Sequence, residues 1–315
     1  MNNTVVGRFA PTPSGRMHAG NVFAALMAWL GVRAAGGRMV LRIEDLDPRA
    51  HKPEATRLLL DDLHWLGLDW DEGPIYQSER HEIYAEALGV LEKRGLTYPC
   101  FCTRAELHVA TAPHASDGTY LYAGTCHGLS LVEIEQRSAA RPPATRLRVP
   151  GPDDPAGAIT FDDLVFGSQR EVLAREVGDI IVRRSDGVMA YQLAVVVDDA
   201  LMGINQVVRG HDLLSSSARQ IYLQRLLGFE QPAYAHVPLL VAPDGRRLSK
   251  RDRDLDLGEI RAHDAGPEHL LGRLAATVGL AKRGEAVSAN DLIGRFSWDT
   301  VRAHAQEAVV FEEPL

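Results

Sequence analysis

The chain has 315 residues, 45% hydrophobic and 24% charged, with a formal net charge of −8 at pH 7, which suits one large domain with an insertion, or two domains, around a full core. The acidic balance argues against a protein that coats nucleic acid by charge alone and does not exclude a local basic face. No leading apolar stretch with a basic flank and no apolar run of membrane-span length occurs, so a cytoplasmic protein with no membrane partner is expected.

The stretch Arg8 to Asn21, RFAPTPSGRMHAGN, joins a strand candidate to a helix candidate. Val5, Val6, Phe9 and Ala10 form an apolar run of strand length, and Val22, Leu26, Leu30 and Ala34 recur at helical spacing. Between them Pro11 and Pro13 fix two φ angles, while Gly15 and Gly20 let the backbone approach something large. A helix starting beside His18 would offer free N–H groups and a positive dipole end to a polyphosphate, with the imidazole as a further donor. After Gly36 and Gly37, MVLRIED (Met39 to Asp45) predicts a second strand, central in a parallel sheet, with Glu44 near its carboxyl end. No GxGxxG follows the first strand and no GxxxxGK[ST] occurs, so a different kind of nucleotide site is implied.

Pro53 to Leu68 predicts an amphipathic helix with Asp61 and Asp62 on its wet face, and Ser78 to Arg94 a second helix ended by Gly95. From Pro99 to Pro155 the chain turns rich in Pro, Gly, Ala, Ser and Thr and lacks long periodic segments, as an inserted subdomain would. It holds all three cysteines: Cys100 and Cys102 flank Phe101, and Cys126 follows Tyr122 in YAGTC. Three cysteines do not make a disulfide framework and point instead to a metal site, with His127 or His114 available as a fourth ligand.

Regular structure resumes with short strand candidates at Ala158 to Phe161, Leu164 to Gly167 and Asp179 to Arg183. In Gly187 to Leu201 the β-branched core Ala194 to Val197 predicts a buried strand, with Tyr191 near its entry. Gln206 to Arg209 is another strand, placing Arg209 at a carboxyl end before a helix from Ser215 to Leu227. His236 to Asp252 then reads as a strand, a Pro-Asp-Gly turn and a basic loop with Arg246, Arg247, Lys250 and Arg251. Helices are expected from near Pro267, Ser288 and Trp298.

Taken together, HAGN (His18 to Asn21) and RLSK (Arg247 to Lys250) resemble the HIGH and KMSKS signatures of class I aminoacyl-tRNA synthetases. RFAPTPSG, RIEDLD, YQLAVVVDD and VVRGHDLL further resemble the glutamyl branch, and the likeness covers nearly all of the first 255 residues. The cysteine pattern and the short stretch after Lys250 resemble a shortened subfamily without an anticodon-binding domain. HAGN lacks the second histidine of HIGH, and RLSKR differs from KMSKS at its first, second and last positions; with Gly20 and Lys250 kept, adenylate formation is expected to persist.

The resemblance implies an α/β fold with a Rossmann-like parallel sheet, an inserted zinc-containing subdomain and a short helical C-terminal segment. The expected divisions are 1–98 and 179–245 for the two catalytic halves, 99–178 for the insertion, and 246–315 for the signature loop and helical segment. It implies activation of L-glutamate with ATP and Mg²⁺, then transfer to the queuosine base at the wobble position of tRNA(Asp), by a monomer. His18, Gly20 and Lys250 would be catalytic, and together with Asn21 would bind ATP. Arg8, Phe9, Ala10, Pro11, Thr12, Glu44, Tyr191 and Arg209 would bind glutamate, arginines meeting its carboxylates and Glu44 its ammonium. Cys100, Cys102, Tyr122 and Cys126 would hold the zinc. The competing readings are a synthetase that charges the 3′ end of a glutamate tRNA, a small-molecule nucleotidyltransferase, and a noncatalytic tRNA-binding relative.

Overall fold

A seven-stranded sheet runs in the order Glu72–Tyr76, Arg38–Ile43, Val6–Phe9, Gln206–Gly210, Ala233–Val237, Ala158–Asp163, Gly167–Val172. The first six are mutually parallel and the last is an antiparallel edge. The computed structural model describes residues 4–48, 52–103, 106, 121–122, 124–243, 245–246, 256–263 and 266–311. From Val6–Phe9 the chain builds outward first to one side and later, through Gln206–Gly210, to the other. The order therefore reverses between these two neighbours, and their carboxyl ends flank the crevice where ligands of open α/β sheets bind.

The helix Ala19–Arg33 connects Val6–Phe9 to Arg38–Ile43 and packs on Val6–Phe9 and Gln206–Gly210. Every residue from Val22 to Val32 except Ala24 is buried, because the helix also meets the helices Glu268–Ala276 and Ala289–Ile293 on its far side. A helix enclosed on both sides is apolar all round rather than striped. Gly31 permits the closest approach: a Cβ there would lie 2.6 Å from Gln206 Oε1 and 2.7 Å from the Trp298 ring.

Two smaller sheets attach to this frame. Thr97–Cys100, Ala144–Leu147 and Ile180–Arg183 form an antiparallel sheet, and Leu239–Val241 pairs in parallel with Ala308–Val310. The helices expected near Pro267, Ser288 and Trp298 are present as Glu268–Ala276, Ala289–Ile293 and Trp298–His304. Among the described residues no helix is long and apolar enough to cross a membrane.

Four expectations are corrected. The run Ala194 to Val197 is not a strand: it lies in the helix Tyr191–Leu201, whose residues Leu193 to Asp199 are all buried. Complete burial hides the helical period and leaves only a β-branched run, which sequence pattern alone cannot separate from a core strand. Leu164 to Phe166 is the turn between Ala158–Asp163 and Gly167–Val172, made by Asp163 Oδ1 accepting from the Val165 and Phe166 amides, each at 2.9 Å. The cysteine-bearing stretch contains a regular helix, Leu131–Ala140, opened by a Ser130–Glu133 capping box.

The fourth correction is Asp62, which is fully buried rather than solvated. Its Oδ1 accepts from Arg16 Nη1 at 3.0 Å and from Arg261 Nη1 at 2.9 Å, while Asp61 meets Arg261 at 2.6 Å. The helix Pro53–Trp65 thereby ties the His18-bearing turn to the helix Leu257–His263. Asp62→Ala is expected to cost about 2 kcal/mol, less than for a fully buried pair because Arg16 and Arg261 keep 26% and 23% exposure; a lowered urea midpoint at unchanged m-value measures it.

Candidate active site

At the carboxyl ends of Val6–Phe9 and Gln206–Gly210 lies an open cleft of about 760 Å³. It gathers Arg8, Phe9, Ala10, Pro11, Thr12, His18, Gly20, Asn21, Glu44, Tyr191 and Arg209, which are all the predicted amino-acid and nucleotide residues except Lys250. Lys250 and Arg247 lie outside the described residues. The chain on either side of that segment does reach the cleft: Leu239 and Leu240 line it, and Asp256 forms an antiparallel bridge with His18. The Leu257 amide also donates to the Met17 carbonyl at 2.9 Å.

His18 is the N-cap of the helix Ala19–Arg33. Its Nδ1 accepts from the Gly20 amide at 3.1 Å, and the Asn21 side chain accepts from the His18 amide at 3.3 Å, closing a capping box. With Nδ1 an acceptor, a neutral imidazole carries its proton on Nε2 and can act as a donor there. A Cβ on Gly20 would lie 3.0–3.1 Å from the His18 ring, so a larger residue would press on that ring.

The amino-acid end of the cleft is charged and buried. Asp199 Oδ1 accepts from Arg42 Nη1 at 2.7 Å and from Arg8 Nε at 3.3 Å, and Arg8 Nη1 also donates to the Val208 carbonyl at 3.1 Å. Arg42 Nη2 reaches Glu44 Oε1 at 3.3 Å. Neighbouring Asp198 accepts from Arg80 Nε at 2.7 Å, Gln77 Nε2 at 2.8 Å and Tyr84 Oη at 2.8 Å. Burial opposes the Asp199 carboxylate, but Arg42 and Arg8 hold it below the usual carboxylate range. Burial raises Glu44, an effect that Arg42 and Arg8 only partly offset.

Arg209 is held differently, by acceptors none of which is a carboxylate. Its Nε donates to His236 Nε2 at 3.0 Å, Nη1 to Gln220 Oε1 at 2.8 Å and Nη2 to Ser217 Oγ at 2.8 Å. The Tyr234 ring lies 5.4 Å from the guanidinium carbon.

The three cysteines converge away from this cleft, with sulfurs all within 4.8 Å of one another. Tyr122 Oη lies 3.6 Å from Cys100 Sγ and 3.8 Å from Cys102 Sγ, and accepts from the Cys126 amide at 2.8 Å. The Phe101 amide donates to Cys126 Sγ at 3.4 Å and Arg146 Nε to Cys100 Sγ at 3.3 Å. Burial disfavours the Cys100 thiolate, but the Cys102 amide and Arg146 outweigh it and lower its pKa. His127 instead packs against Tyr98 at 5.0 Å between ring centroids, and His114 lies outside the described residues. Three sulfurs and one phenolic oxygen suit a tetrahedral divalent metal.

Sequence reasoning missed Arg42, Asp198, Asp199, Gln220 and His236. The signal for the first three was charge inside apolar runs, MVLRIED and YQLAVVVDD, since buried charges require partners. Gln220 and His236 carried no such signal.

Residues 4–312 match the family model of the class I tRNA synthetases (E and Q), catalytic domain. A glutamyl-Q tRNA(Asp) synthetase of Symbiobacterium thermophilum is 48% identical over 302 residues, covering 92% of this chain and 91% of that protein. One of Deinococcus radiodurans is 46% identical over 298 residues, covering 92% and 95%. Among solved structures, a glutamate tRNA ligase from Elizabethkingia meningosepticum in complex with its amino acid superposes with a TM-score of 0.81 at 26% identity, covering 98% of this chain and 67% of that one. An arginyl tRNA synthetase-like protein of Campylobacter jejuni, 11% identical at a TM-score of 0.51, shares the fold alone. A junction that caps a helix with His18 beside buried arginines, matched along almost its whole length, places the chain in the class I glutamyl and glutaminyl tRNA synthetase family, among the glutamyl-Q tRNA(Asp) synthetases.

Proposed function

We propose that the protein activates L-glutamate with MgATP and transfers it to the queuosine base at the wobble position of tRNA(Asp). One observation carries this reading: a single cleft holds Arg8, Glu44, Tyr191 and Arg209 alongside His18 and Gly20, and the chain leaving the lysine-bearing loop pairs with His18.

In this reading the backbone from Phe9 to Thr12 and the side chains of Arg8, Arg209 and Tyr191 bind the two carboxylates, and Glu44 binds the ammonium. Arg209, whose three acceptors are uncharged, keeps a positive charge for a substrate carboxylate. Glutamine would leave that charge uncompensated and is rejected. A carboxylate oxygen of glutamate attacks the α-phosphorus of ATP, the bond to the β-phosphate breaks, and pyrophosphate leaves. No protein nucleophile takes part; catalysis is positioning and charge stabilisation. His18 Nε2–H and the helix N-terminus beside Gly20 and Asn21 face the phosphates, and Lys250 neutralises charge from the loop. A nucleophile on the queuosine base then attacks the acyl carbon, and AMP leaves.

Residues 99–178 are the inserted unit in this reading. Cys100, Cys102, Cys126 and Tyr122 hold one Zn²⁺, supported by the sulfur cluster and the phenolic oxygen beside it. The ion ties the chain together locally and takes no part in the reaction. The protein works in the cytoplasm as a monomer.

The decisive experiment incubates the protein with labelled glutamate, ATP and queuosine-containing tRNA, then cleaves the product between anticodon arm and acceptor. Label is expected in the anticodon arm, and label at the 3′ end would overturn the reading in favour of conventional charging. Lys250→Ala should lower glutamate-dependent pyrophosphate exchange about 100-fold, the scale of losing one charge-stabilising group.

Because burial raises Glu44, its carboxylate takes up a proton as pH falls at a point above the ordinary value of about 4.3. The acid limb of kcat/KM for glutamate should therefore begin above that value, and Glu44→Gln should move the limb down to that of the substrate's own side chain while lowering kcat/KM at neutral pH.

Elemental analysis of purified protein should find about one zinc per chain. Cys102→Ser should lose it and lower the melting temperature.

A further inference from the structure

Arg209 is the one guanidinium at the amino-acid end whose described partners include no carboxylate, and what orients it lies behind the cleft wall. His236 is completely buried on the strand Ala233–Val237, paired in register with Arg209 on Gln206–Gly210. Its Nδ1 lies 2.6 Å from Asp163 Oδ2, and its amide donates to the same oxygen at 3.1 Å. Asp163 Oδ1 takes the Val165 and Phe166 amides, so this carboxylate is fully occupied as an acceptor.

These contacts select one imidazole form. Asp163 requires a hydrogen on Nδ1, while Nε2 faces Arg209 Nε, which can only donate. Ser217 Oγ, which accepts from Arg209 Nη2, lies 3.3 Å from Nε2 and can only donate to a ring that carries no hydrogen there. Burial and the neighbouring guanidinium lower His236 to about 4, so the ring is neutral near pH 7. Burial opposes the charged form of Asp163, but the hydrogen bonds it receives hold it below the usual carboxylate range.

We propose that Asp163 and His236 are a buried positioning pair, fixing Arg209 through one imidazole tautomer and thereby setting the affinity for the substrate carboxylate that Arg209 meets. The inference rests on reading Arg209 as a glutamate ligand. With His236, Gln220 and Ser217 each taking one hydrogen, each terminal nitrogen of Arg209 keeps a second one for a carboxylate. Because those three acceptors are uncharged, the guanidinium keeps its positive charge for the substrate. A carboxylate in place of His236 would neutralise it, and a second donor there would turn it away.

The pair is tested by pyrophosphate exchange in His236→Phe, His236→Gln and Asp163→Asn. His236→Phe keeps the ring and removes the acceptor; it should raise the glutamate KM about 10- to 100-fold while leaving the ATP KM and kcat nearly unchanged, as expected for loss of a group that orients a ligand. His236→Gln returns an acceptor at the same bond distance from Cα and should recover most of that loss. Asp163→Asn should resemble His236→Phe, because an amide no longer dictates the tautomer. In the unsubstituted protein, ¹⁵N-histidine NMR at neutral pH should show His236 protonated on Nδ1 alone. A folded His236→Phe variant with a glutamate KM within twofold of the parent overturns the inference, as does an Nε2-protonated ring, which is read without any variant having to fold. Arg209→Gln serves as the control: if it binds glutamate normally, the reading of Arg209 itself fails, whereas an impaired control beside an unaffected His236→Phe rejects the positioning pair alone.

Discussion

Asp199 is the point on which the amino-acid end of the molecule depends. Charges buried this deeply cost several kcal/mol each unless they are paired with good geometry. Asp199 pairs two at once, Arg8 from the first strand and Arg42 from the second, across more than 150 residues of chain. That bond sets the depth of the helix Tyr191–Leu201 against the sheet. Tyr191, two helical turns or about 12 Å away along the same helix, is carried by it to the cleft wall. Glu44 is placed from the other side by its contact with Arg42.

Two of the arginines lining the cleft, Arg8 and Arg209, solve the same problem in opposite ways. Arg8 is balanced by a carboxylate and braced by the Val208 carbonyl, which makes it a permanent part of the protein's own charge pattern. Arg209 is braced by neutral acceptors and keeps its charge uncompensated within its immediate shell. A site built this way is already structured when empty and has one charge to satisfy.

Much of the cleft was legible in the chain because its residues sit in short, locally determined motifs. RFAPTPSGRMHAGN encodes strand, turn and helix in one stretch, and Glu44 and Arg209 follow from the rule that ligands gather at strand carboxyl ends. The residues that brace them were not legible, because pairings such as Asp163 with His236 or Asp62 with Arg261 join distant segments, and periodicity carries no distance information. The helix Tyr191–Leu201 was misread for a related reason. With Leu193 to Asp199 all buried, the alternation that separates inside from outside disappears, and three consecutive valines then read as a strand. The cysteine cluster was legible as chemistry, whereas the helix Leu131–Ala140 beside it, with none of its residues buried, left no apolar stripe to find.

The bridge between His18 and Asp256, with the Leu257 amide on the Met17 carbonyl, is made by main-chain atoms. Its strength is therefore indifferent to the side chains at those positions, and it anchors the far end of residues 247–255 whatever those residues are. RLSKR differs from KMSKS at three of its five letters, and none of the three takes part in this main-chain fastening, which holds Asp256 and Leu257 to the histidine turn with no help from the signature itself.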